Sequence, residues 1–104
     1  MGTEKPRITT QTLRVLGAFT SSGTAELSGA EIAKKTNLRS GTLYPILFRL
    51  EQTGWFESHW EDGDPSELGR PRRRFYRLTA VGEREAHAAY REVTAMIGGL
   101  TCAN

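Results

Sequence analysis

Apolar residues recur along this chain at helical spacing in four places and alternate with polar ones in two. Leu13, Leu16 and Phe19, flanked by Val15, predict a first helix from Thr9 or Thr10, broken by Ser21-Ser-Gly-Thr24. Ser28-Gly-Ala-Glu31 has the form of a capping box, in which a serine and a glutamate three residues on satisfy each other's backbone N–H groups. A short second helix follows, with Ile32 and Ala33 inward and Lys34 and Lys35 toward solvent, until Thr36-Asn37 ends it. A third helix begins near Ser40 or Thr42 and stops at Gly54, with Leu43, Ile46, Leu47 and Leu50 as its buried stripe. Pro45 is tolerable there if it lies within the first turn or so, where a missing N–H costs little.

Beyond Gly54 the period changes to two. Trp55 to Glu61 reads as a strand with Phe56, Ser58 and Trp60 on one face, and Arg73 to Leu78 as its antiparallel partner. The eleven residues between them, Asp62 to Arg72, hold two glycines and two prolines. Hairpin loops usually have ~2–5 residues, so a loop this long points to function or disorder. Thr79 then caps a last helix that runs to about Met96 or beyond. Ala86, Tyr90, Val93, Ile97 and Leu100 are spaced four, three, four and three along it, a seam suited to packing on another helix. A further short strand fits at Ala25–Leu27. The pattern is mainly α with a small β-hairpin.

Composition narrows the setting. The chain has 104 residues, one domain's worth, and 38% hydrophobic and 25% charged residues, as in an ordinary soluble globule. No run approaches the ~20 apolar residues of a membrane span, and Met1 to Pro6 lacks a signal peptide's apolar region, so a cytoplasmic protein is expected. The single cysteine, Cys102, excludes an internal disulfide and has no base partner. His59 and His87 have no further ligand at metal spacing. No phosphate loop or supported carboxylate pair is present, so neither an enzyme nor a cofactor is expected.

The net charge of +2 says little, but its distribution is uneven. Arg70, Arg72, Arg73, Arg74 and Arg77 follow an acidic stretch of Glu57, Glu61, Asp62, Asp64 and Glu67. Such a local field selects partners better than net charge does, with double-stranded DNA the expected one and a loop charged only for solubility the alternative. A basic loop beside a helix with a polar leading end is the layout of a winged helix-turn-helix, whose second helix of the pair enters the major groove. At that leading end Gly41 admits a phosphate backbone, and Ser40, Thr42 and Tyr44 offer hydroxyls. Lys34, Arg39 and Arg49 add charge around it. Ser40 and Thr42 also serve as caps, and Tyr44 has the alternative of packing under the wing. Proline holds Arg70-Pro71-Arg72 extended, which presents Arg70 and Arg72 as an exposed tip for a minor groove. Arg73, Arg74 and Arg77 alternate along a strand, so one of them is expected to pair with Glu57 or Glu61 while Arg73 and Arg74 remain DNA candidates.

Two blocks, Gly-Thr-Leu-Tyr-Pro-x-Leu-x-Arg-Leu-Glu-x-x-Gly at 41–54 and Gly-Arg-Pro-Arg-Arg-x-x-Tyr-x-Leu-Thr-x-x-Gly at 69–82, stand in order around Glu57-Ser-His-Trp-Glu61. Over roughly residues 28–82 the chain resembles the PadR family of transcriptional regulators. The resemblance implies a winged-helix homodimer, mostly a bacterial repressor, with the C-terminal helix in the dimer interface; several members release DNA in the presence of phenolic acids or hydrophobic drugs. Two departures are visible. Where the family often has Gly-Tyr-Glu-Ile, with the tyrosine as a core contact, this chain has Gly29-Ala-Glu-Ile32, and its C-terminal helix is short and lacks tryptophan.

The expected organisation is a flexible N-terminal arm at 1–8, a winged-helix DNA-binding domain at 9–79, and a C-terminal dimerisation helix and tail at 80–104. The expected dimer interface is Ala86, Tyr90, Val93, Ile97 and Leu100, completed in trans by Leu13, Leu16 and Phe19 of the first helix. The opposite possibility is that Tyr90, Val93 and Ile97 fold back on the chain's own first helix. The expected function is repression at a pseudo-palindromic operator. The alternatives are a protein-interaction module and a sensor of small aromatic molecules with a pocket at the dimer interface.

Overall fold

The computed structural model describes residues 8–22 and 26–101, with side chains described as far as Ile97 apart from Ser21 and Ser22. The elements run α1 (Thr10–Ser22), β1 (Glu26–Ser28), α2 (Gly29–Thr36), α3 (Ser40–Gln52), β2 (Phe56–Trp60), α4 (Pro65–Leu68), β3 (Arg74–Leu78) and α5 (Ala80–Thr101). The arm expected at 1–8 lies outside the described residues except for Ile8, as do the side chain of Leu100 and all of Cys102.

Local chemistry sets the boundaries. Thr9 starts α1 by accepting the Thr12 N–H on its hydroxyl at 3.1 Å. The capping box of α2 is complete: Ser28 Oγ accepts from Glu31 N at 3.1 Å, and Glu31 Oε1 accepts from Ser28 N at 2.8 Å. Asn37, in the left-handed region with φ 60°, ends that helix. Pro45 is the sixth residue of α3, past the first turn, and the helix continues through it to Gln52.

The expected hairpin is part of a three-stranded antiparallel sheet in the order β1-β3-β2. The register pairs Leu27 with Tyr76 on one side and Ser58 with Tyr76 on the other. Phe56 begins β2 on the buried face, and its ring meets Phe19 at a centroid distance of 4.8 Å. Around that pair lie Val15, Leu16, Leu27, Ile32, Leu43, Leu47, Leu50 and Trp55, all buried. Phe56, Leu16, Ile32, Leu43, Leu47, Leu50 and Val15 are fully buried. Burying a side chain of this size is worth about 1.5–3 kcal/mol, so the three helices and the sheet are held chiefly by this cluster.

The first helix is where the sequence reading needs correcting. Leu16 and Phe19, expected to complete a dimer in trans, are 0% and 6% exposed inside the chain's own core, and Ala86 of the expected seam is 0% exposed there too. Three helices and a three-stranded sheet leave a small chain no spare stripe on α1. Tyr90 takes the cis alternative: its hydroxyl donates to the Leu13 carbonyl at 3.0 Å. Gly17 makes this possible, because a Cβ there would stand 2.4 Å from the Tyr90 hydroxyl. Beyond that crossing α5 runs out past the core, with Met96 72% and Ile97 53% exposed. The radius of gyration, 15.7 Å, reflects that projection; a compact chain of this length has about 13 Å.

The start of α5 is pinned to the turn that follows α3. Thr79 Oγ1 donates to the Gly54 carbonyl at 2.7 Å and accepts from Gly82 N at 3.0 Å, as an N-cap should. Gly82 is pressed against the residue that precedes β2: a Cβ there would lie 2.1 Å from the Trp55 carbonyl oxygen.

Candidate nucleic-acid interface

The leading end of α3 is open. Its N-cap is Arg39, extended at φ −75° and ψ 156°, and Arg39 makes no side-chain capping bond. The expected capping by Ser40 and Thr42 is therefore absent, because both already lie within the first turn of the helix. Their hydroxyls are exposed and have no partner among the described residues. A Cβ on Gly41 would meet nothing within 4 Å. The first N–H groups of a helix lack intrahelical partners and carry the positive end of its dipole, so this end suits an anion. Arg39 and Arg49 are exposed at the two ends of α3, and Lys34 is exposed on α2.

The loop at 62–73 is an ordered wing. Asp64 Oδ1 accepts from Ser66 N at 3.1 Å and caps the single turn of α4, and Gly69, with φ 73°, closes it in the left-handed region. That turn returns the chain to the end of β2, where Glu61 collects it. Arg70 grips the carboxylate through two bonds, Nη1 to Oε1 at 2.7 Å and Nη2 to Oε2 at 2.8 Å. Glu61 Oε1 also accepts from Arg73 N at 3.1 Å, and Glu61 N donates to the Arg73 carbonyl at 2.7 Å. The Arg70 guanidinium, helped by the Arg73 N–H, holds the Glu61 carboxyl down to about 2. Arg70 thus ties the base of the wing and does not form the exposed tip expected of it.

The remaining arginines divide by partner. Arg77 pairs with Glu57, its direct cross-strand neighbour, which is one of the pairings expected. Arg74 lies 4.9 Å over the Trp60 ring and 3.7 Å from Glu51, which in turn accepts from Ser58 Oγ at 2.6 Å. Over the central β3, His59 Nε2 of β2 meets Glu26 Oε2 of β1 at 2.6 Å, and that hydrogen bond raises the imidazole's pKa. Arg72 and Arg73 are exposed, and among the described residues their side chains make no hydrogen bond or ion pair, although the Arg73 charge helps to keep Glu61 ionised.

Wing and helices meet in one open groove of about 530 Å³. Tyr44 and Tyr76 line it with Trp60, Pro71, Arg72, Arg73 and Arg74 on the wing side, and Ser28, Gly29 and Ala30 from the start of α2. Tyr44, 45% exposed, lies across α2 so closely that its hydroxyl is 2.5 Å from where a Gly29 Cβ would stand. Ala30 is an exposed groove residue, so the position where the family often has tyrosine is no core contact in this chain. The sequence offers Glu61, like Glu57, as a pairing partner for Arg73, Arg74 or Arg77 but not for Arg70, and it carries no signal for Glu51. The acidic run before the wing was the available signal for Glu61, and nothing in the sequence distinguished its role from that of Glu57.

Residues 19–88 match the model of the transcriptional regulator PadR-like family. The chain belongs to that family. Among solved structures, this PadR-like chain is similar to a PadR family transcriptional regulator from Eggerthella lenta, with 27% identity, a TM-score of 0.60, and 89% of this chain and 84% of that one covered. It is similar to Bacillus subtilis PadR in complex with operator DNA at 21% identity and a TM-score of 0.61, covering 76% of this chain and 46% of that one. The PcaV transcriptional regulator from Streptomyces coelicolor, solved with its natural ligand, gives 21% identity and a TM-score of 0.71, with 93% and 63% covered. The PadR-like chain thus spans about half to two-thirds of the latter two. No curated protein sequence matches it significantly. The fold is a winged helix-turn-helix with a C-terminal helix, and no helix among the described residues is long and apolar enough to cross a membrane.

Proposed function

We propose that this PadR-like regulator is a repressor that binds a pseudo-palindromic operator as a homodimer, with α3 in the major groove and the wing at the minor groove. The observation that carries the reading is the groove: Tyr44, which follows the exposed, uncapped start of α3 by one turn, lines it together with Arg72 and Arg73 of the wing. Ser40, Gly41 and Thr42 serve phosphates, Arg39, Arg49 and Lys34 extend the contact, and Arg72 and Arg73 enter the minor groove. Arg70 and Arg74 act by holding the wing, through Glu61 and Trp60. The solved complex of Bacillus subtilis PadR with operator DNA supports the reading.

Two copies place two α3 helices about one helical turn of DNA apart, ~34–36 Å. The outer part of α5 supports a homodimer, with half-buried Val93 and exposed Met96 and Ile97 continuing past Tyr90. Equilibrium sedimentation should return twice the chain mass.

Fluorescence anisotropy on duplexes selected from a random pool tests the reading. A dimer touching about eight phosphates gives a log K against log salt slope near −7, and Arg72→Ala lowers its magnitude by about 2, one per protomer. Salt-independent binding would refute it. The aromatic walls of the groove support one addition, a small aromatic effector bound there in competition with DNA. Trp60 borders the groove, so titration with aromatic acids should quench tryptophan fluorescence in the wild type and less in Trp60→Phe.

A further inference from the structure

Gly41, Pro45, Phe48 and Gln52 succeed one another at spacings of four, three and four along α3, on the side opposite the buried Leu43, Leu47 and Leu50. All four are exposed, and Phe48 is the one large apolar side chain among them, 65% open to solvent. No ring contact holds it among the described residues. An isolated exposed apolar residue needs no explanation on an arbitrary surface. This one lies on the centre line of the stripe that begins at the open Gly41, and Arg49 follows it in sequence. Seven residues of helical rise put it about 10 Å further along the axis than Gly41, on the same face of the helix that enters the groove in the DNA-binding reading.

We infer that Phe48 reads a thymine methyl group in the major groove and thereby sets part of the operator sequence. A benzyl group has no donor or acceptor for a phosphate or a polar base edge. The C5 methyl of thymine is the apolar feature among the major-groove edges of the four bases, and phenylalanine is one of the side chains that contact it. A single ring flanked by Arg49 and the polar Gln52 is also too small a patch to seat another protein. The assignment rests on the DNA-binding reading above and adds a named residue and a named base to it.

Uracil differs from thymine at the groove edge by that methyl alone, which makes the test direct. Duplexes selected by the full chain are resynthesised with uracil at each thymine in turn, and affinities are measured for the wild type and Phe48→Ala. The expected result is one thymine per half-site whose replacement weakens wild-type binding about fourfold, as burial of one methyl group implies. Phe48→Ala should bind that thymine and uracil equally while keeping the wild-type salt slope and melting temperature. If no thymine matters to the wild type, or if the loss persists undiminished in Phe48→Ala, Phe48 does not read a methyl and DNA binding itself still stands. If no duplex is selected at all, the DNA-binding reading falls and this inference with it.

Discussion

Replacing Gly41 by alanine separates the fold from its proposed use, because the two should respond in opposite directions. The added methyl meets no atom within 4 Å, so the core and the neighbouring elements are untouched. Glycine is a poorer helix former than alanine, and at this early position of α3 the exchange should stabilise the protein by about 0.5 kcal/mol. For a domain of this size that raises the melting temperature by roughly 2–4 °C. In the complex the same methyl would stand where a phosphate approaches the N–H groups at the start of α3. A hydrogen bond to a charged group contributes about 1.5–3 kcal/mol, so losing one weakens binding roughly 10- to 150-fold per site. Circular dichroism melting and anisotropy at one fixed salt concentration measure both quantities on the same sample. Unchanged affinity would show that no backbone reaches Gly41. A lowered melting temperature would show that the space around it is not open.

Other positions test other links. Gly82→Ala should cost about 3 kcal/mol or more, since the Trp55 carbonyl is backbone and cannot swing aside, and lower the melting temperature by roughly 12–24 °C; a wild-type melt would contradict the close approach. Tyr90→Phe removes the bond to the Leu13 carbonyl and should cost about 1 kcal/mol in urea unfolding, whereas no change would mean that α5 does not rest on α1 through that hydroxyl. Glu61 should titrate near 2 in carboxyl NMR, well below its ordinary 4.5. Its folded pKa is depressed, so its contribution is complete above the ordinary value and is lost as pH falls toward 2; a midpoint near 4.5 would break the clamp. Glu61→Gln should leave the core folded while amides of 62–73 exchange faster and DNA affinity drops.

Helix positions, the capping box and the existence of a wing were readable because each is set by neighbours close in sequence. Ser28 and Glu31 lie three residues apart, and the leucine stripe of α3, Leu43 to Leu50, spans eight. The division among the arginines was not readable in this way. Whether Arg70 or Arg72 faces solvent depends on how the turn at Asp64–Gly69 returns the chain to Glu61, which charge pattern alone leaves open. The seam of α5 misled for a related reason. Ala86 and Tyr90 have the spacing for a partner helix, but that spacing cannot say whose helix it is, and the crossing with α1 turned on the missing side chain of Gly17. The absence of capping by Ser40 and Thr42 likewise followed from a boundary one residue earlier than their chemistry implied.

The junction of Thr79 and Gly82 with Gly54 and Trp55 gives α5 the character of a gauge. Where α3 stops, β2 starts and α5 begins, Thr79 N donates to the Trp55 carbonyl at 2.9 Å and Gly82 lies against the same carbonyl with no side chain of its own to yield. A helix of 22 residues leaves that joint as an arm about 33 Å long, so a tilt of about 3° at its root displaces its far end by about 1.7 Å. Two such arms clasped together would fix the separation of their reading helices by an angle and not by a linker length. In the proposed homodimer, operators whose half-sites are moved apart by one base pair should bind more weakly, since both arms must tilt at their roots to follow them.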